Sequence, residues 1–195
     1  MKLFVLRHGE TLLNRQRKFY GSLNVSLDKK GFQQADEVAK KLTPYTFSRI
    51  IISDMLRTKQ TAVPILNQNP TIHPIIDARF NEMGFGDWEG LNANEIQALD
   101  PIGWQKWLNE PFKVAPGNGE GYICFKHRVL EAFQDYYQDD RTGCQTLLIA
   151  HLGVLRALHH VWFPNLNYWN TNFLAGDYSV YTINNEGVQL TSYNV

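Results

Sequence analysis

The sequence predicts an α/β protein, a three-layer α/β/α sandwich built on a mostly parallel central sheet, and three observations carry that prediction. Short, unbroken apolar runs recur at Leu3-Phe4-Val5-Leu6, Ile50-Ile51-Ile52 and Leu147-Leu148-Ile149, as expected of strands covered on both faces. Between them lie segments whose apolar residues fall at helical spacing, and strands alternating with helices make parallel crossovers. The first and last runs stop abruptly at polar clusters, Arg7-His8-Gly9 and His151-Leu152-Gly153. The carboxyl ends of parallel strands lie on one side of the sheet, where open α/β folds bind ligands.

Length and charge narrow the class. With 195 residues the chain suits one domain, 1–195, and can bury a sizeable core. Nineteen Lys and Arg balance nineteen Asp and Glu, so no global field gathers nucleic acid or an anionic membrane, and an anion site has to be local. Cys124 and Cys144 provide no disulfide framework and no zinc-type spacing, although a single bridge between them stays open. The apolar run after Lys2 is too short for a signal peptide, and no stretch has the length of a membrane span. A reduced, cytoplasmic protein with neither nucleic-acid nor membrane partners is expected, and the composition carries no signal for an oligomeric state.

Taken in order, the first strand passes into a polar loop, Glu10 to Ser26, whose Arg15, Arg17 and Lys18 suit a solvated face or the guidance of an anion. Phe32, Ala35, Val38, Ala39 and Leu42 then mark one helix face, with Asp28 as N-cap and Thr43-Pro44 as the stop. Ile50-Ile51-Ile52 is the second strand, and a helix from about Met55 to Leu66 follows Ser53-Asp54. Thr71 to Ile76 reads as a short strand that Pro74 confines to an edge or a bulge. The segment Phe80 to Gly90, rich in glycine and aromatics, has no periodicity, and such loops are commonly functional.

The second half continues the pattern. Glu95 to Trp107 is helical with interruptions at Pro101 and Gly103, and Pro111 to Gly121 is a loop. Tyr122, Phe125, Val129, Phe133 and Tyr136 give one face of a helix that ends at Asp139-Asp140. The strand Thr146 to Ala150 leads through His151 into a helix carrying Val154, Leu155, Leu158 and Val161, closed by Trp162-Phe163-Pro164. Tyr178 to Ile183 and Val188 to Tyr193 form a hairpin across Asn184 to Gly187.

Polar residues thus follow four strands: Arg7-His8-Gly9-Glu10-Thr11 with Asn14, Ser53 through Arg57-Thr58, Glu82, and His151-Leu152-Gly153. With Phe85-Gly86-Asp87-Trp88-Glu89-Gly90, these five ordered blocks cover nearly the whole chain, and together the sequence resembles the histidine phosphatase superfamily, also called phosphoglycerate-mutase-like. The resemblance implies that His8 is the nucleophile that takes a phosphoryl group and that Glu82 gives a proton to the leaving alkoxide. Arg7, Asn14, Arg57 and His151 are implied to hold the phosphate of a small-molecule phosphomonoester, with no cofactor and no metal. The residue types suit that chemistry independently. A phosphomonoester dianion needs fixed cationic donors, and a histidine near arginines stays neutral and able to attack. A metal site made of His8, His151 and Glu82 is the competing reading, and the adjacent Arg7 and Arg57 would repel the cation.

Two blocks narrow the resemblance. Phe80-Asn81-Glu82-Met83 with Gly86-Asp87-Trp88-Glu89, and Asn118-Gly119-Glu120-Gly121-Tyr122 with Arg128, look like the α-ribazole phosphatases of cobalamin synthesis. A broad-specificity phosphatase acting on sugar phosphates, nucleotides or phosphoglycolate is the alternative, and a non-catalytic phosphate-binding module would need neither His8 nor Glu82. Phosphoglycerate mutases place several arginines where this chain has only Lys106 and Lys113 between Met83 and Gly119. Trp88, with Trp104 and Trp107, is a candidate to stack on a substrate base, on a scale of about 1–3 kcal/mol per base, or to be core beneath a lid. Glu120 either binds the sugar or caps the following helix. His73, His127, His159 and His160 read as structural.

Overall fold

The computed structural model describes residues 1–138 and 144–195. Six strands form one sheet in the order β3-β2-β4-β1-β5-β6. The strands are β1 (Lys2–Arg7), β2 (Arg49–Ile52), β3 (Ile75–Ile76), β4 (Gln145–Ala150), β5 (Tyr178–Asn184) and β6 (Gly187–Ser192). β1 pairs in parallel with β4 and antiparallel with β5, β4 and β3 both pair in parallel with β2, and the β5–β6 hairpin closes one edge. The predicted three-layer sandwich is what forms. Strand β1 is buried on both faces in alternation: Phe4 and Leu6 enter one core, Leu3 and Val5 the other.

Seven α-helices lie among the described residues: α1 (Leu12–Arg15), α2 (Lys29–Leu42), α3 (Leu56–Gln68), α4 (Ala93–Leu99), α5 (Pro101–Asn109), α6 (Tyr122–Gln138) and α7 (Leu152–Trp162). Helices α2 and α3 cover one face through Val38, Ala39, Leu42, Ala62 and Ile65, while α6 and α7 cover the other through Phe125, Val129, Val154, Leu155 and Leu158. The neighbouring strands β1 and β4 therefore send the chain to opposite faces. A crevice opens where adjacent strands diverge in this way, and their carboxyl ends carry His8 and His151.

Most expectations hold, and the departures have local causes. Asp28 caps α2 by accepting the Gly31 N–H at 2.9 Å, but Phe32 is 44% exposed and lies off the buried stripe. The polar loop after β1 contains α1, held by a capping box in which Thr11 and Asn14 satisfy each other's backbone amides. The interruption at Pro101 separates α4 from α5: Asp100 caps α5, Pro101 occupies its first turn, and Gly103 is inside it. Strand β3 is a two-residue edge strand following Pro74. The aperiodic stretch before Gly90 contains two 3-10 turns, Ala78–Phe80 and Gly86–Trp88. The expected end of α6 at Asp139-Asp140 lies outside the described residues.

Candidate active site

At the end of β1, His8 is only 4% exposed. Its Nδ1 lies 2.7 Å from the Gly9 carbonyl oxygen. A carbonyl only accepts, so Nδ1 carries the proton and Nε2 keeps the lone pair. Burial, then the charges of Arg57 and Arg7, hold the imidazole well below its ordinary value against the opposing Gly9 hydrogen bond. The ring is therefore neutral at physiological pH.

His151, at the end of β4, stands beside it with ring centroids 5.1 Å apart. Arg57 donates Nε–H to His151 Nδ1 at 3.2 Å, so the His151 proton is on Nε2 and goes to Ser53 Oγ at 2.7 Å. Burial first, then the charge of Arg57, pushes this imidazole well below its ordinary value too. Both ring nitrogens are taken, and His151 meets the site through Arg57 with no free N–H for an oxyanion. Fully buried Arg57 also donates to the Gly21 and Leu23 carbonyls at 3.0 and 2.9 Å, and its guanidinium lies over the Tyr20 ring.

A cleft of about 250 Å³ is lined by Arg7, His8, Asn14, Arg57, Tyr20 and Glu82 among others. Arg7 donates Nη1–H to the Phe173 carbonyl at 2.9 Å, while its Nε is buried with no hydrogen-bond partner. Asn14 uses Oδ1 to accept the Thr11 amide, which leaves its Nδ2 amide as the donor it can offer the cleft. Glu82 reaches the same cleft from the loop before Met83. Its Oε1 accepts the Met83 N–H and its Oε2 the Gly153 N–H, both at 2.9 Å. The second donor belongs to the first turn of α7. Gly153 has to be glycine for this contact, since a Cβ there would stand 2.2 Å from Glu82 Oε1. Among the described residues, no three His, Cys, Asp or Glu side chains come together to hold a metal ion.

Comparison with known proteins decides the family. The model of the histidine phosphatase superfamily, branch 1, matches residues 3–195. The chain belongs to the histidine phosphatase superfamily. An adenosylcobalamin/alpha-ribazole phosphatase of Salmonella typhimurium is 31% identical over 192 residues, covering 94% of this chain and 91% of its own. A 2,3-bisphosphoglycerate-dependent phosphoglycerate mutase of Cytophaga hutchinsonii is 33% identical over 162 residues, 80% of this chain and 74% of its own. The crystal structure of the alpha-ribazole phosphatase from Shigella flexneri superposes with a TM-score of 0.89 at 28% identity, covering 100% of this chain and 96% of that one.

Three expectations for this histidine phosphatase need correction. His151 does not offer a phosphate its own N–H, since Arg57 and Ser53 take both ring nitrogens. Trp88 does not line the cleft. It is 1% exposed and packs with Ile96, Trp104 and Trp107 in a separate core cluster. Glu120 does not cap α6 and does not line the His8 cleft: both of its carboxylate oxygens accept from Arg128, and the pair borders a neighbouring pocket of about 460 Å³ that Glu82 also lines. Other residues form the wall beside Glu82, a second pocket of about 280 Å³ to which Trp107, Phe112, Tyr122, Tyr168 and Trp169 contribute. This pocket shares Phe19, Glu82, Phe85 and Leu152 with the first cleft. Its cation, Arg156, comes from α7 and donates to the Thr171 and Trp169 carbonyls. Helical spacing alone did not single it out, because Arg156 occupies an ordinary polar position of α7.

Proposed function

We propose that this protein is a phosphomonoesterase that works through phosphorylated His8, with α-ribazole 5′-phosphate as its substrate. The observation that carries the reading is a neutral His8, held in the tautomer that leaves Nε2 unprotonated, in one cleft with Arg7, Arg57 and the Glu82 carboxyl group. Nε2 attacks phosphorus and the bond to the ribose oxygen breaks. Arg7, Arg57 and the Asn14 amide stabilise the negative charge on the transferring group, and the buried, unpartnered Arg7 Nε is a donor that a phosphate oxygen would satisfy. His151 contributes by fixing Arg57. Glu82 gives a proton to the leaving alkoxide. Its carboxylate then takes a proton from water as the water attacks phosphorus, the phosphorus–nitrogen bond breaks, and His8 Nε2 regains its electron pair.

The aromatic pocket beyond Glu82 supports a leaving group with a flat ring. A benzimidazole nucleoside would lie against Phe112 and Trp169, which stack at 5.9 Å between centroids. The named alpha-ribazole phosphatase relatives point the same way. The mutase similarity favours a second reading, transfer between positions of a phosphoglycerate, but the second pocket is mostly aromatic and its Arg156 is engaged with backbone carbonyls. A panel comparing release of phosphate from α-ribazole 5′-phosphate, ribose 5-phosphate, nucleotides and the phosphoglycerates tests the substrate. Rapid quench with labelled substrate tests the mechanism: wild type should yield an acid-labile, base-stable phosphoenzyme and His8→Ala none. Full turnover by His8→Ala would overturn the covalent route.

A further inference from the structure

Beside the segment that carries Glu82, in a pocket that Glu82 and Glu120 also line, the guanidinium of Arg128 has all five of its N–H groups satisfied. Nε–H donates to Glu120 Oε1 and one Nη2–H to Glu120 Oε2, both at 2.7 Å. The two Nη1–H groups reach the Arg79 and Asn81 carbonyls at 2.7 and 2.8 Å, and the other Nη2–H reaches the Glu82 carbonyl at 3.1 Å. The Phe125 ring supports the cation 4.9 Å from its centroid. Glu120 is itself tied down, since its amide donates to the Gly84 carbonyl at 2.8 Å. One planar fork thus fixes three carbonyls of the segment that carries Glu82. Neither Arg128 nor Glu120 lines the cleft that contains His8.

We propose that Arg128, locked by Glu120, is a positioning residue for the Glu82 carboxyl. The proposal rests on Glu82 being the proton donor. The carboxyl is fixed at its tip by the Gly153 amide, but its place is set by the backbone behind it, which Arg128 ties to α6 through the Arg79, Asn81 and Glu82 carbonyls. A catalytic group displaced by about 1 Å loses about 10²-fold in rate, and Arg128 is what keeps this backbone from shifting. Lysine cannot substitute fully, because a single ammonium has three donors and no fork.

The test compares presteady-state phosphorylation bursts with ribose 5-phosphate, whose leaving alkoxide needs a proton, and with p-nitrophenyl phosphate, whose leaving group does not. Glu82→Gln should slow the first burst selectively. Arg128→Gln should do the same, by about 10²-fold, with Arg128→Lys intermediate and the Glu82→Gln/Arg128→Gln double variant no slower than Glu82→Gln alone. Equal slowing of both bursts by Arg128→Gln, or additive losses in the double variant, would overturn the clamp while Glu82 stays the acid. Equal slowing by Glu82→Gln would instead remove the acid assignment and the clamp's purpose with it. Should Arg128→Gln not fold, Glu120→Gln gives the same comparison, because it loosens the fork without emptying the site.

Discussion

Arg57 donates its Nε–H to Nδ1 of His151 across 3.2 Å, so one buried cation is aimed by a neutral imidazole instead of a carboxylate. A carboxylate would partly cancel the charge that a phosphate needs, whereas an uncharged acceptor orients it and leaves it whole. Arg57→Ala should lower turnover about 10²–10³-fold, the scale for removing one preorganised donor. It should also cost about 1–3 kcal/mol of stability, since the Gly21 and Leu23 carbonyls lose their donors. Turnover and urea midpoints measured on the same preparation check both.

Both histidines are held well below 6.5 by burial first and by the arginines second. The unfolded chain takes up protons near 6.5 while the folded chain does not, so their contribution to stability is whole above that pH. It is lost as the pH falls from there toward the folded values. Urea midpoints should be flat from about pH 7 to about pH 9, below the range in which the unfolded chain's tyrosines ionise. They should then fall below about 6.5, by up to about 2.7 kcal/mol per pH unit while both groups are involved. His8→Gln should halve that slope, and a midpoint unchanged down to pH 5 would refute the neutral pair.

Gly153→Ala separates stability from catalysis. Alanine suits the first turn of α7, and the atom it meets is the movable end of Glu82. Folding stability should hold or rise by about 0.5–1 kcal/mol, the usual helical gain over glycine. Phosphorylation by an alkyl phosphate should slow about 10²-fold as the carboxyl is displaced. Thermal melts and burst kinetics read the two effects separately.

Glu89 gathers two loops. Its Oε1 accepts the N–H groups of Gly21, Ser22 and Phe85, and its Oε2 that of Leu23. Burial opposes the charge, but these four donors outweigh it and hold the carboxyl below its ordinary range. Glu89→Gln turns an amide donor toward backbone N–H groups, and should cost about 1–3 kcal/mol. Hydrogen exchange should show the amides of residues 21–23 losing protection, and unchanged protection would count against the assignment.

The sheet and the residues at its strand ends were legible because burial on both faces leaves a plain mark, an apolar run that stops where the chain leaves the core. The capping box of Thr11 and Asn14 was not legible, since the charges around it suggest a solvated loop or the guidance of an anion and say nothing of a helix. Phe32 sits at a helical spacing that matches the buried face, yet the stripe of α2 is narrower than the pattern and leaves it outside. Trp88 stayed open between stacking on substrate and core, and Glu120 was misplaced, for a shared reason. In an aperiodic segment no spacing tells which way a side chain turns, and only packing against α5 or the arrival of Arg128 from α6 settles it. The aromatic pocket was hidden because its walls come from distant stretches, Trp107 and Phe112 on one side and Tyr168 and Trp169 on the other.

Trp88, Trp104, Trp107 and Trp169 form a relay of rings with neighbouring centroids 5.4–6.0 Å apart, from the sealed cluster to the 44% exposed ring at the pocket mouth. Indoles this close share their excited states. The chain therefore carries its own optical reporter: near-ultraviolet dichroism should register their coupled transitions, and a ligand settling against Trp169 should change emission along the series. Titrations of unlabelled compounds then become possible whether or not they are turned over, with Trp169→Phe as the control that silences the outermost member.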